Sequence, residues 1–437
     1  MTSKQMTRPS SFAADSHPVA GRWRRMFGAI AEWVLGGPRR RPSRLAAVGA
    51  PLKVASPAED EPRPASTLPR PAVNATARII AAFDSAHPVR QRKDLYGRDD
   101  KLDTLFEAVL FSRQHAIIHG SRGSGKTSLA QVFGDYADQQ GAVVIYTACE
   151  AASSFAELMR PYLSFIPDSC IPFAEKHNFQ REREALSPSD FGSRAIVDLF
   201  SRLAPECQII LIFDEFDRVE DEAVNSQVAT LMKLLSDARL PVQVLLVGIA
   251  RTLEDLILCH PSLRRHLVPI PIGRISREDT QALIATGAQR AGVTFDVDST
   301  DDIADISCGS PYHVQLFCYV AAIEAVRRGA DTVNAEVTRL AMRRAFDTWG
   351  MLNPDDANLF QSLTSCDLGT RSVIQRAARE AAMWDSLTTN DEVEALLGPA
   401  LSRDGKRSDR AYFRDGAAPQ FLLAILALQQ GAKLKVI

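Results

Sequence analysis

Long apolar runs are missing from this 437-residue chain. No stretch approaches the ~20 consecutive apolar residues that a membrane-spanning helix needs. Cysteine is sparse: seven residues at 149, 170, 207, 259, 308, 318 and 366, an odd number with no C-x-x-C pair. That spacing excludes a zinc ribbon and a dithiol redox motif. It leads to the expectation of seven reduced thiols in a cytoplasmic protein. No unit recurs at a fixed period, which excludes a long solenoid. Net charge is almost absent as well, at −2, so the chain as a whole is no polycation built to coat nucleic acid.

The near-neutral total hides an asymmetry. Residues 1–75 hold 12 Lys and Arg against 5 Asp and Glu, a surplus of +7 that leaves −9 on the remainder. This stretch is rich in Pro, Arg, Ala and Ser and reads as a mostly disordered basic arm. A basic arm on an acidic body points to a tail that contacts nucleic acid, lipid or the body itself. Within it, residues 22–35 differ. Trp23, Met26, Phe27, Ile30, Trp33 and Val34 recur at helical spacing beside Arg22, Arg24 and Arg25. That pattern suits an amphipathic helix on a membrane surface, on a partner, or on the chain's own body.

The chain beyond the arm is too long for one core, so several domains are expected. Over residues 90–275 short apolar strands alternate with helices. Strands are expected at His115–His119, Ala142–Thr147, Gln208–Phe213, Val242–Val247 and His266–Ile272. Helices are expected at 99–111, 125–138, 153–164, 190–204 and 222–238, with a polar insertion over 165–189. Such alternation signals a parallel sheet covered on both faces. After 276 the strands are expected to stop, giving a helical segment at 276–350. The section 351–437 reads as three helices, near 354–364, 371–384 and 389–397, then a hairpin turning at Asp404-Gly405.

Two motifs carry chemistry. The run Gly120-Ser121-Arg122-Gly123-Ser124-Gly125-Lys126-Thr127-Ser128 fits G-x-x-x-x-G-K-[ST], with a strand before it and a helix after it. Its glycines let backbone N–H groups turn inward to cradle phosphates, and the helix N-terminus adds unpaired donors. Lys126 is placed to reach the outer phosphates of ATP, and the Thr127 hydroxyl to hold Mg2+. The second motif is Gln208-Ile209-Ile210-Leu211-Ile212-Phe213-Asp214-Glu215, a buried strand emptying into two carboxylates. Asp214 would stand beside the same Mg2+. Glu215, one residue further, would act as base toward the attacking water.

With these motifs the chain resembles an AAA+ type P-loop ATPase of the branch holding origin-recognition, transposition-regulator and STAND switch ATPases. The resemblance implies an α/β fold: a P-loop NTPase parallel sheet with helices on both faces, a small helical lid, and a winged-helix-like C-terminal domain. Leu95-Tyr96-Gly97-Arg98-Asp99 is similar to the family's box that packs on adenine, which implicates Tyr96, Gly97 and Arg98. Arg251 stands where sensor 1 follows the fourth strand. Arg264 and Arg265 lie where an arginine finger is often placed. Gly309-Ser310-Pro311-Tyr312-His313 resembles the Gly-x-Pro opening of the sensor 2 helix, with His313 in place of the usual arginine.

That last departure, together with Arg251 in place of Asn or Thr, implies a slow switch between ATP and ADP rather than a fast motor. The resemblance implies a homo-oligomer in the ATP state. It leaves the partner open between duplex DNA and a signalling protein. Residues 350–437 balance 10 basic against 11 acidic residues, far from the footprint of a dedicated DNA binder.

Overall fold

The computed structural model describes residues 46–47, 70–150, 154–248, 261–403 and 410–428. The segment 22–35, Arg251 and the turn at Asp404-Gly405 lie outside them. Six parallel strands make the main sheet: β1 (Ala46–Ala47), β2 (His115–Gly120), β3 (Val143–Ala148), β4 (Ile209–Asp214), β5 (Val242–Gly248) and β6 (Leu267–Ile272). Their spatial order is β1-β3-β4-β5-β2-β6. The five expected strands are there within a residue or two, and β1 adds a short edge inside the stretch read as arm.

β4 and β5 are buried along their whole length. This explains why they read as unbroken apolar runs rather than alternating ones. The helix Lys126–Gln139 crosses from β2 toward β3. It approaches the sheet closely because Gly134 has no side chain: a Cβ there would stand 3.4 Å from both Ile212 and Val144. One strand, β5, separates β2 from β4. The loop after β2 and the carboxylates ending β4 therefore meet at the same edge of the sheet, across β5. The stretch 165–189 is not an irregular insertion. It holds a helix at Lys176–Leu186, and its Phe179 and Cys170 are fully buried in the core of this layer.

Three expectations are corrected here. Strands do not stop at 276, since Thr294–Phe295 pairs in parallel with Thr332–Val333 inside the lid. The arm does not reach 75. A helix at Arg70–Ala82 packs on the lid helices Arg277–Ala291 and Pro311–Arg327, burying Ile79 and Phe83. Its apolar face is short and follows a Pro- and Arg-rich stretch, which masks it in composition. Lastly, the thiols are not all free. Cys170 and Cys207 form a disulfide spanning 37 residues, which joins the 168–170 turn, through its buried Cys170, to the segment entering β4. Cys149, Cys308, Cys318 and Cys366 are free.

The lid and the C-terminal section are two stretches of sequence around one core. A single apolar cluster runs from Ile79 and Phe83 through Phe317 and Trp349 to Phe421 and Leu426. Trp349 is its hinge. Its ring stacks between Phe360 and Phe421, at centroid distances of 5.5 and 5.0 Å, and its Nε1 donates to Asp415 at 2.6 Å. The C-terminal section has helices at Pro354–Leu363, Leu368–Trp384 and Asp391–Leu397. A three-stranded antiparallel sheet, ordered 401–403, 410–413, 387–388, accompanies them, and the helix Ala418–Leu428 closes the core. Helices with a small antiparallel sheet are the content expected of a winged-helix-like unit.

Candidate nucleotide site

The loop Gly120–Gly125 turns on left-handed backbone. Gly123 has φ +73° and Gly125 φ +92°, conformations that side chains rarely adopt. Gly123 is also pinned by space, because a Cβ would stand 3.2 Å from Tyr312 Cβ and 3.3 Å from Ser310 Oγ. Gly125 caps the helix that Lys126 opens. Lys126 folds back over the loop, and its Nζ donates to the carbonyls of Gly120 and Ser121 at 2.9 Å each. Burial pulls its ammonium below the ordinary lysine value, while Asp217, Asp385 and Asp214 pull the other way. The loop is also tied laterally: Ser128 Oγ accepts from Val89 N at 3.1 Å, which fixes the segment 85–89 beside it.

Asp214 is 4% exposed. Thr127 Oγ1 donates to its Oδ1 at 3.3 Å, and Tyr146 OH donates to its Oδ2 at 2.5 Å. Burial first, then the charge of Asp214, pushes the Tyr146 phenol far up, so it remains a donor. Thr127 and Asp214 thus bring two oxygen donors together, the chemistry a hard divalent cation such as Mg2+ takes. Glu215 follows at φ +53°, costly for a residue with a side chain (about 1–3 kcal/mol). It is exposed and paired with Arg218, Oε2 to Nε at 2.8 Å.

Of these groups, Lys126, Thr127 and Glu215 line a cavity of about 340 Å³. They form its polar end, while Pro88, Tyr96, Leu283 and Pro311 supply apolar walls. Both Lys126 and Tyr96 line it.

Arg98 touches this cavity but is spent on bracing it. It is 5% exposed, and one nitrogen, Nη2, donates both to Ser124 O (3.2 Å) and to Gly273 O (2.5 Å). Gly97, at φ +61°, lies against Asp279 of the lid. Arg122 is exposed and faces the C-terminal section, where a Cβ on Gly416 would stand 3.5 Å from Arg122 Cβ. Arg264 and Arg265 are exposed on the short turn Pro261–Arg265 and form no ion pair among the described residues.

His313 departs from expectation. It lines no part of the cavity and is 2% exposed, its ring packed against Phe317 and Phe421 at 5.8 Å each. Its Nδ1 pairs with Ser310 Oγ at 2.9 Å. The helix Pro311–Arg327 presents this position to the shared aromatic core, not to the phosphates. Burial, and then Arg274, pushes His313 down to about 3. His115, on β2, is likewise buried and pushed down to about 4, with Nδ1 accepting from Val244 N at 2.9 Å.

Both histidines lie below the unfolded-state value near 6.5. Their contribution to stability is therefore complete above about pH 6.5 and is lost as pH falls toward 4 and 3. His115 alone accounts for roughly 3 kcal/mol by its shift. Melting temperature is expected to drop between pH 6.5 and 4, with His115→Gln flattening part of that slope. Identical slopes in the two proteins would contradict this assignment.

Residues 94–247 match the family described as AAA ATPase domain. This region is an AAA ATPase domain. The chain is similar in structure to the ORC2 protein of Aeropyrum pernix, at 13% identity, 80% of this chain and 97% of that one, with a TM-score of 0.45. It is similar too to a Walker-type ATPase of Pyrococcus abyssi, at 16% identity, 78% and 99% coverage, TM-score 0.47. The RuvB Holliday junction branch migration motor of Thermotoga maritima gives 14% identity, 75% and 96% coverage, TM-score 0.42. No curated protein matches the chain. Among the described residues, no helix of the chain is long and apolar enough to cross a membrane.

Sequence reasoning missed Tyr146 and Arg218 around this site, although both had a readable signal. Tyr146 stands two residues from the end of β3, and Arg218 three residues after Glu215.

Proposed function

We propose that the chain is a Mg2+-dependent ATP hydrolase working as a slow switch, whose ATP state exposes a surface for a partner. The observation that carries this is the resting geometry of Lys126, whose ammonium is engaged by two carbonyls of its own loop. It must be released before a phosphate is gripped, whereas Glu215 is only loosely paired with Arg218 at the surface. With Mg2+ held by Thr127 and Asp214, the cation offsets charge on the phosphate oxygens. Lys126 grips the outer phosphates, Asp214 stands beside Thr127, and Glu215 accepts the proton of the attacking water. Arg264 or Arg265, standing exposed, is suited to reach the site of a neighbouring copy and stabilise developing charge there.

Assembly on DNA is one use of such a switch. A protein-facing switch without DNA binding is the other, and one observation favours it. The described arginines around the C-terminal sheet are paired within their own section: Arg403 with Glu394 (3.0 Å), Arg410 with Glu380 (3.9 Å) and Arg414 with Asp356 (3.2 Å). Phosphate contact would have to displace those carboxylates.

The test is ATP turnover per chain as a function of protein concentration, with and without duplex DNA at two salt concentrations. Low turnover that rises with concentration is expected. DNA binding that falls steeply with salt would restore the DNA reading. A fast rate independent of concentration would sink the switch.

A further inference from the structure

A second cavity, of about 350 Å³, lies at the end of the sheet opposite the phosphate loop. His115, the first residue of β2, and Val242, the first of β5, are part of its wall. The phosphate loop begins at the other end of β2, a strand length of about 16 Å away. Three arginines line this cavity, Arg113, Arg239 and Arg265, with His266 beside them. No carboxylate is among the described residues of its wall. Asp237 stands outside it, 3.7 Å from His266 Nε2.

The three arginines are exposed, and none forms an ion pair among the described residues. Arg113 gives one donor, Nη1, to Pro205 O at 3.2 Å. The guanidiniums of Arg239 and Arg265 meet no acceptor among the described residues. Like charges on one concave wall repel each other, and the low-dielectric lining focuses their field on whatever enters.

Two of the arginines are held there at a backbone cost. Arg113 (φ +52°) follows the helical turn Phe106–Phe111, and Arg239 (φ +52°) follows the helix Glu222–Asp237. Arg239 N donates to Ser236 O and Leu240 N to Leu235 O, both at 3.0 Å. That is the helix ending whose left-handed position glycine usually takes. Glycine would cost less at either place. Arginine at both brings two guanidiniums to one cavity.

A guanidinium presents a planar fork that matches phosphate oxygens two at a time. We propose that this cavity binds a compact polyphosphate anion, free or as the end of a larger molecule, with Arg113, Arg239 and Arg265 as its ligands. It is a second anion site and does not rest on the ATP reading. Arg265 is used here, so Arg264, which does not line the cavity, is the one left for a neighbouring copy.

The experiment titrates pyrophosphate, tripolyphosphate and ATP into the full chain carrying Lys126→Ala, which weakens the phosphate loop. One equivalent of tripolyphosphate is expected to bind and to raise the melting temperature. Adding Arg239→Gly or Arg265→Ala is expected to weaken binding at least roughly tenfold each, as loss of a charge-assisted hydrogen bond does. Arg113→Gly and Arg239→Gly are expected to melt at or above their parent, because glycine suits that backbone. Lost binding in them is then not lost folding. Tripolyphosphate bound more tightly than ATP marks the free anion as the ligand. ATP bound as tightly or more, with the same dependence on Arg239, marks a carried one, and either result supports the site. No binding of any of the three, or binding that the arginine variants leave unchanged, overturns the inference. So does a glycine variant that melts well below its parent, which would make the arginine a structural clamp. Duplex DNA held through the same arginines while tripolyphosphate is not would give the surface to nucleic acid and overturn it as well.

Discussion

Glu215→Gln is expected to bind ATP as tightly as wild type and to turn it over at least ~100-fold more slowly, the usual scale for loss of a general base. The substitution keeps the shape and removes only the proton acceptor. Glu215 is exposed at the cavity edge, so the change leaves no buried hole. Its left-handed backbone is the same for either side chain. Loss of the Arg218 pair has little energetic consequence, since exposed pairs are worth about 0–1 kcal/mol. Single-turnover hydrolysis beside equilibrium ATP binding separates the two effects. If the Glu215→Gln chain hydrolyses normally, Glu215 is not the base. The ATP-bound form of this variant should also hold whatever assembly ATP induces, which makes it the protein of choice for sedimentation.

The sheet and the two motifs were legible because their information is local. A phosphate loop is read from nine consecutive residues, and the carboxylates of β4 from the apolar run before them. The lid was legible as a helical segment, though its short strand pair was not. What was not legible depends on contacts far apart in sequence. His313 follows the Gly-Ser-Pro turn where a phosphate ligand is expected, but Phe421, over a hundred residues later, draws that face into the core. Arg98 sits in an adenine-box pattern, yet its donors are consumed by Ser124 and by Gly273. The helix Arg70–Ala82 is defined by Phe83 lying against Gly287 of the lid, a contact that composition cannot announce.

Lys126→Ala is expected to weaken nucleotide binding itself rather than turnover alone. The Lys126 nitrogen already lies on the phosphate loop, 2.9 Å from two of its carbonyls. Its burial in a partly dry site means that a phosphate beside the ammonium is poorly screened by solvent. Removing one partner of such a buried, charge-assisted contact costs about 2–5 kcal/mol, so affinity is expected to fall from roughly 30-fold to several thousand-fold, for ADP as well as ATP. Stability is expected to move little or upward, because burial disfavours the charged ammonium and the loop carbonyls gain access to water in its absence. Titration with both nucleotides beside a thermal melt checks this. An unchanged ADP affinity in a folded Lys126→Ala protein would remove Lys126 from the phosphate site, and with it the placement of the nucleotide along the cavity.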